Sequence, residues 1–185
     1  MSLEHAILGF LHAQPQSGYD LKKNFDASVS HFWPADQSQI YRTLNRLVAD
    51  GWVTVEVIHQ TERPDRKVYS LTGAGRDELL RWLVSELPGS PSRSAEMIQV
   101  FFAAQLSDDQ VLALFERVAD GFRAGLAGYA AIPTDIEDHP GLTRSPREFY
   151  FAMLTLEIGT MQLQANLDWI EDRIARIRAG EIPPS

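Results

Sequence analysis

Apolar residues recur at helical spacing along most of the chain and alternate at strand spacing in one region. Ala6, Ile7, Phe10 and Leu11 share one face of a segment that predicts a helix over Ser2–Ala13, with Ser2 as a cap. Pro15 closes it. Ser17-Gly18-Tyr19-Asp20 restarts a helix through a capping box, with Tyr19, Leu21 and Phe25 as its apolar side and Lys22 and Lys23 outside. Phe32-Trp33-Pro34-Ala35 reads as a turn. Asp36 then caps a third helix, with Gln39 as its partner three residues on and Ile40, Leu44, Leu47 and Val48 as the buried stripe. Asp50-Gly51 ends that helix, because glycine takes the left-handed backbone that a C-terminal cap favours.

The period then shortens to two. Trp52 to Ile58 and Val68 to Leu71 predict a β-hairpin whose polar tip runs from His59 to Lys67. Thr72 caps a helix from Gly73 to Ser85 with Leu79, Leu80, Trp82 and Leu83 as its apolar surface. Leu87 to Arg93, rich in proline, glycine and serine, reads as a linker. A helix from Ser94 to Leu106 carries Met97, Ile98, Phe101 and Phe102. Ser107-Asp108-Asp109-Gln110 opens the next helix, which runs to Tyr129, and Ile132 to Pro146 reads as a polar loop.

The final segment, from Arg147 to Ala179, carries the most regular pattern. Phe149, Met153, Leu156, Thr160, Leu163, Leu167, Ile170, Ile174 and Ile177 repeat every three or four residues in alternation. A period of 3.5 makes a long seam that requires a partner helix. That partner belongs either to the same chain or to a second copy. A helix of some 33 residues is about 50 Å long, more than a small domain spans, which favours a second copy for part of it. The fold expected is therefore mainly α with a small β-wing. Its parts are a helix-turn-helix unit over 1–86, a linker over 87–94 and a helical dimerisation or effector domain over 95–180.

Charge sharpens this picture. Seventeen basic residues face 25 acidic ones among 185, for a net charge of −8. Residues 1–80 hold 8 basic against 10 acidic side chains, and the rest hold 9 against 15. Such acidity excludes a nucleic-acid coating protein, but screening within about 8–10 Å leaves room for a local basic patch. The predicted third helix supplies one. Its exposed positions are Ser38, Gln39, Arg42, Thr43, Asn45 and Arg46, none of them acidic, and Tyr41 offers a hydroxyl. Arginine reads guanine through two hydrogen bonds and glutamine or asparagine reads adenine. The hairpin adds Arg63, Arg66 and Lys67. Three helices followed by a hairpin is the order of a winged helix-turn-helix, in which the third helix enters the DNA major groove. The same scaffold also serves as a protein-interaction module without specific DNA binding.

The N-terminal 83 residues resemble the PadR-type transcriptional regulators of bacteria. The matching stretches are Ala6-Ile7-Leu8-Gly9-Phe10-Leu11, Ser17-Gly18-Tyr19-Asp20-Leu21, and Ile40 to Leu47 leading into Asp50-Gly51-Trp52-Val53. Arg66-Lys67-Val68-Tyr69-Ser70-Leu71-Thr72-Gly73-Ala74-Gly75 completes them. The resemblance implies a homodimer on an inverted-repeat operator in double-stranded DNA, acting as a repressor released by a small aromatic, often phenolic, effector. It implies that Tyr41 and Lys67 grip phosphates while Gln39, Arg42 and Arg46 lie nearest the groove. The wing segment Thr61-Glu62-Arg63-Pro64-Asp65 departs from the family in its two acids and its lack of glycine. For the dimer, the seam nominates Phe149, Met153, Leu156, Leu163, Leu167, Ile170, Ile174 and Ile177. For the effector, aromatic walls nominate Trp33, Trp82, Phe101 and Phe122, with Arg93, Arg123 or Arg147 as the cation for an anionic ligand.

Other chemistries find no footing in the sequence. The absence of cysteine removes thiolate nucleophiles and Cys-ligated zinc. His5, His12, His31, His59 and His139 are scattered without metal-site spacing. Gly73-x-Gly75 is a turn rather than a phosphate loop, and Asp108-Asp109 and Glu171-Asp172 sit at a helix start and on an exposed face. The expectation is a non-enzyme without cofactor or metal. The start of the chain has no basic, apolar leader and no membrane span, in keeping with a cytoplasmic address.

Overall fold

A computed structural model describes residues 2–59, 65–86, 94–132, 145–181 and 183. They form two compact units, each described separately below. Of the described residues, 2–59, 65–86 and 145–153 belong to the first, and 94–132, 154–181 and 183 to the second.

In the first unit, helices α1 (Ser2–Ala13), α2 (Gly18–Asp26) and α3 (Gln37–Ala49) precede a hairpin of β2 (Val53–Ile58) and β3 (Arg66–Leu71) and helix α4 (Gly73–Leu83). Local caps set the helix starts. Ser17 accepts the Asp20 backbone N–H, and Thr72 accepts that of Gly75. Asp36 and Gln39 form the full reciprocal capping box of α3. Gly51, at φ 74°, ends α3 in the left-handed region. The Trp52 N–H reaches the Leu47 carbonyl and the Gly51 N–H that of Val48, the two bonds of a Schellman cap.

The sheet holds one strand that the sequence pattern does not announce. Two residues, β1 (Gln16–Ser17), pair antiparallel with β3, which also pairs with β2, so the order is β1-β3-β2. Gln16 is buried and donates from Nε2 to the Phe10 carbonyl, which ties the strand to the end of α1. Ile7, Leu8, Leu21, Phe25, Ile40, Leu44 and Leu47 are fully buried in the core, with Val53, Tyr69 and Leu79 beside them.

Several expectations give way here. Tyr19 is 69% exposed, because it lies about 200° around α2 from the buried Leu21. Leu80 and Leu83 are exposed too; only Leu79 and the half-buried Trp82 face inward. Arg66 and Lys67 belong to strand β3, opposite Ile58 and Val57, and not to the hairpin tip.

In the second unit, α5 (Ala95–Phe101) ends in a single 3-10 turn (Ala103–Gln105), shorter than the helix predicted to Leu106. Then follow α6 (Asp108–Ala130), opened by the Ser107–Gln110 capping box, and the part of α7 (Pro146–Arg178) from Leu154 onward, its first eight residues belonging to the first unit. The facing pairs Glu116–Arg178 and Arg123–Glu171, bonded at 2.7 and 2.6 Å, show that α6 and α7 run antiparallel. Leu167, Ile170, Ile174 and Ile177 of α7 are buried against Leu114, Phe115, Val118 and Ala119 of α6. These four seam positions form the chain's own core, which corrects their assignment to a dimer interface. Phe149, Met153, Leu156 and Leu163 are half-buried. The opposite face of α7 is also apolar: Phe151, Leu154, Ile158 and Met161 recur at 3.5-residue spacing and are 38–64% exposed. On α5, Met97, Ile98, Phe101 and Phe102 are exposed rather than buried. Among the described residues, no helix is long and apolar enough to cross a membrane.

Candidate nucleic-acid interface

The buried stripe of α3 dictates what its other face shows. With Ile40, Leu44 and Leu47 fixed inward, a rotation of about 100° per residue turns Ser38, Arg42 and Asn45 outward together. All three are exposed, as are Gln39 and Arg46 on the flank. Thr43 does not belong to this face. It lies one turn before Leu47, is 6% exposed, and donates its hydroxyl to the Gln39 carbonyl at 2.8 Å.

The remaining side chains are positioned by specific neighbours. Ser38 donates to Asp36 Oδ1 at 2.7 Å, and the Gln39 side-chain oxygen accepts the Asp36 backbone N–H at 2.9 Å. The Gln39 carbonyl is thus taken by the cap. The Ser38 hydroxyl and the Gln39 N–H both bond the Asp36 carboxylate, which holds it below the usual aspartate range. Half-buried Tyr41 packs over the start of α2. A Cβ added to Gly18 would lie 2.6 Å from the Tyr41 ring, so only glycine admits this contact. Burial, and then the nearby Tyr41, push the Tyr69 phenol up.

The basic residues differ in their partners. Arg42 is exposed, and its Nε lies 3.4 Å from the Ser38 carbonyl, at the outer limit of a hydrogen bond. Arg46 forms an ion pair with Glu4 of α1, whose side chain is almost covered. Arg66 donates to Asp20 of α2 at 2.6 Å. Lys67 is exposed on β3. Arg63 lies outside the described residues. Glu4, Gly18 and Asp20 were not singled out for this face by the sequence. Their contacts link segments far apart in the chain, and only the Ser17–Asp20 cap was visible locally.

The residues nominated for an effector do not share one local environment. Trp33 is 40% exposed in the turn before α3. Trp82 stacks on His5, ring centroids 4.5 Å apart and planes within 10°. In the second unit Phe101 is 79% exposed, while Phe122 lines a depression with Met97, Leu114, Arg117 and Val118. Of the cations, Arg93 lies outside the described residues. Arg123 is bonded to Glu171 and Asp120, and Arg147 sits 5.2 Å from the Phe151 ring centroid. A cleft of about 430 Å³ in the second unit was not foreseen. It joins the apolar Leu106, Val111, Phe115 and Ile177 to Arg173 and Arg176. Among the described residues, no group of three or more His, Asp or Glu side chains gathers as a metal site.

A three-helix unit with a β-wing and an acid-free, partly basic third helix defines a winged helix-turn-helix protein of the DNA-binding class. Comparison with known proteins names its family. The sequence model of the transcriptional regulator PadR-like family matches residues 7–81, and that of the virulence activator alpha C-terminal region matches residues 92–178. The negative transcriptional regulator PadR of Bacillus subtilis is 30% identical over 181 residues, covering 95% of this chain and 97% of that protein. The probable transcriptional regulator Rv1176c of Mycobacterium tuberculosis is 44% identical over 98 residues, about half of each chain. Among solved structures, Bacillus subtilis PadR with operator DNA superposes with a TM-score of 0.80 at 28% identity, covering 96% and 99% of the two chains. The same regulator with p-coumaric acid gives 0.75 at 28% identity and the same coverage. The chain belongs to the PadR-like family of transcriptional regulators.

Proposed function

We propose that the protein is a repressor that binds an inverted-repeat operator as a homodimer and is released by a small aromatic effector. The observation that carries the DNA reading is the outward face of α3, where Ser38, Arg42 and Asn45 stand together and the one neighbouring carboxylate, the N-cap Asp36, is engaged by Ser38 and the Gln39 N–H. Arg42 is the base reader, Asn45 assists it through its amide and Gln39 through the amide NH2 that the cap leaves free, and Tyr41 and Lys67 contact phosphate. The repressor reading leans on the Bacillus relative, a negative regulator whose structure with operator DNA has this fold.

The dimer reading rests on the apolar stripe of α7. Leu154, Ile158 and Met161 are large, exposed and regularly spaced, and a lone chain in water gains nothing from them. Two reading helices about 34 Å apart meet successive major grooves only when a rigid dimer fixes that distance. The effector reading draws on the relative's complex with p-coumaric acid. In this chain the cleft offers apolar walls beside Arg173 and Arg176, which an aromatic carboxylate would have to win from their present partner Asp172, with Asp108 and Glu181 also in the lining.

Sedimentation of the protein with an operator duplex tests the assembly. Two chains per duplex, released by an aromatic carboxylate, is the expected result. One chain per duplex removes the dimer, and no duplex binding with or without ligand leaves a protein-interaction module.

A further inference from the structure

We propose that two acids outside the reading face, Glu4 and Asp20, decide which arginines DNA can use. Glu4 keeps Arg46 as a fixed strut, whereas Asp20 yields Arg66 to phosphate. The inference rests on α3 and the wing being the DNA face.

The two ion pairs look alike on paper and differ in surroundings. Glu4 is 8% exposed, wedged on α1 beside the core. A carboxylate so covered loses far more when its cation leaves than an exposed one does. Arg46 therefore stays on Glu4 when DNA arrives, and braces α3 against α1 instead of neutralising a phosphate. Asp20 and Arg66 are 41% and 49% exposed, so their mutual attraction is weak and screened. Asp20 also has a second donor: the Ser17 hydroxyl bonds its Oδ2 at 2.7 Å. That bond, and then the Arg66 guanidinium, hold the carboxyl below the usual aspartate range. With Ser17 in place, Asp20 stays charged and satisfied after Arg66 departs. Arg66 begins β3 at the tip end of the wing, opposite Ile58, and Lys67 follows it on the other face of the strand, so each cation is offered to phosphate separately. The four cations of the face thus divide by availability. Arg42 and Lys67 form no ion pair among the described residues, although Arg42 shares its field with the N-cap Asp36; Arg66 is obtained by exchange, and Arg46 is withheld.

The experiment is the salt dependence of affinity for a mixed-sequence duplex between about 50 and 200 mM KCl, where each neutralised phosphate adds about 0.9 to the logarithmic slope. Arg66→Ala is expected to lower the slope by about 0.9, as Lys67→Ala does. The double variant Glu4→Gln/Arg46→Gln, which exchanges the ion pair for a neutral amide pair and keeps α1 on α3, is expected to leave the slope unchanged. Asp20→Asn retains the Ser17 bond and should tighten binding about two- to fivefold, the range that release of an exposed ion pair allows. In an Arg66→Ala background the same change should do nothing. Asp26→Asn, on the same helix but paired with Lys22, serves as the charge control and should give a smaller gain. The proposal is overturned if the Glu4/Arg46 double variant loses as much slope as Arg66→Ala. It is also overturned if the Asp20→Asn gain survives without Arg66 or is matched by Asp26→Asn. A wild-type protein whose duplex binding ignores salt would overturn the DNA face itself, and that outcome differs from all of these.

Discussion

Arg42 stands at the centre of the exposed face of α3, one turn after Ser38, near the N-cap Asp36 but in no ion pair among the described residues. Truncation to alanine should cost about 1–3 kcal/mol of discrimination between operator and mutated operator while leaving the fold intact, as read by competition binding and thermal melting. Gly18→Ala acts on the same face from behind. The new methyl meets the Tyr41 ring, so Tyr41 must shift, and stability should fall by about 1–3 kcal/mol in urea titration. Glu78 gives a pH signature. The His5 bond first, and then Arg81, lower its carboxyl pKa, so its stabilisation is complete above the ordinary glutamate range and fades as pH drops through the lowered value. The melting temperature should therefore decline on acidification below about pH 4.3, and Glu78→Gln should flatten that decline. At this scale the sequence showed what one helix turn determines. Arg42 and Asn45 could be assigned from the stripe of Ile40, Leu44 and Leu47. Thr43 was misjudged because it borders that stripe. The pairing of Arg66 with Asp20, 46 residues away, has no local signal.

Helix starts were the most legible elements, because a cap is a contact between residues three apart. Asp36 and Ser107 both close the full box expected of them. Asp36→Ala should cost about 1 kcal/mol and fray the start of α3, measurable as faster amide exchange at Ile40 and Tyr41. Strand limits were less legible. Arg66 and Lys67 are charged and read as hairpin tip, but pairing with Ile58 and Val57 draws them into β3. Strand β1 is two residues long and exists only because β3 lies beside it. The α7 seam shows a deeper limit. Its 3.5-residue period gave the helix with nearly its observed bounds, yet a period states that a partner exists without saying which. The partner of Leu167, Ile170, Ile174 and Ile177 is α6 of the same chain.

One apolar face of α7 holds the second unit together, and the proposed dimer assigns the exposed opposite face to a second copy. The two faces of α7 should then respond oppositely to substitution. Ile170→Ala should destabilise the second unit by about 2–5 kcal/mol, because Ile170 is fully buried. Ile158→Asp should leave the unit folded and dissociate the dimer, as read by sedimentation. A dimeric Ile158→Asp protein would send the interface to another face, with the exposed Met97, Ile98, Phe101 and Phe102 of α5 next in line. The most direct test of the central claim is selection of bound duplexes from a random DNA pool, run in parallel with wild type and Arg42→Ala. Wild type is expected to enrich an inverted repeat with half-sites about one helical turn apart, and Arg42→Ala to lose the preference at one position of each half-site. No enriched repeat, or the same repeat enriched equally by both proteins, would contradict it.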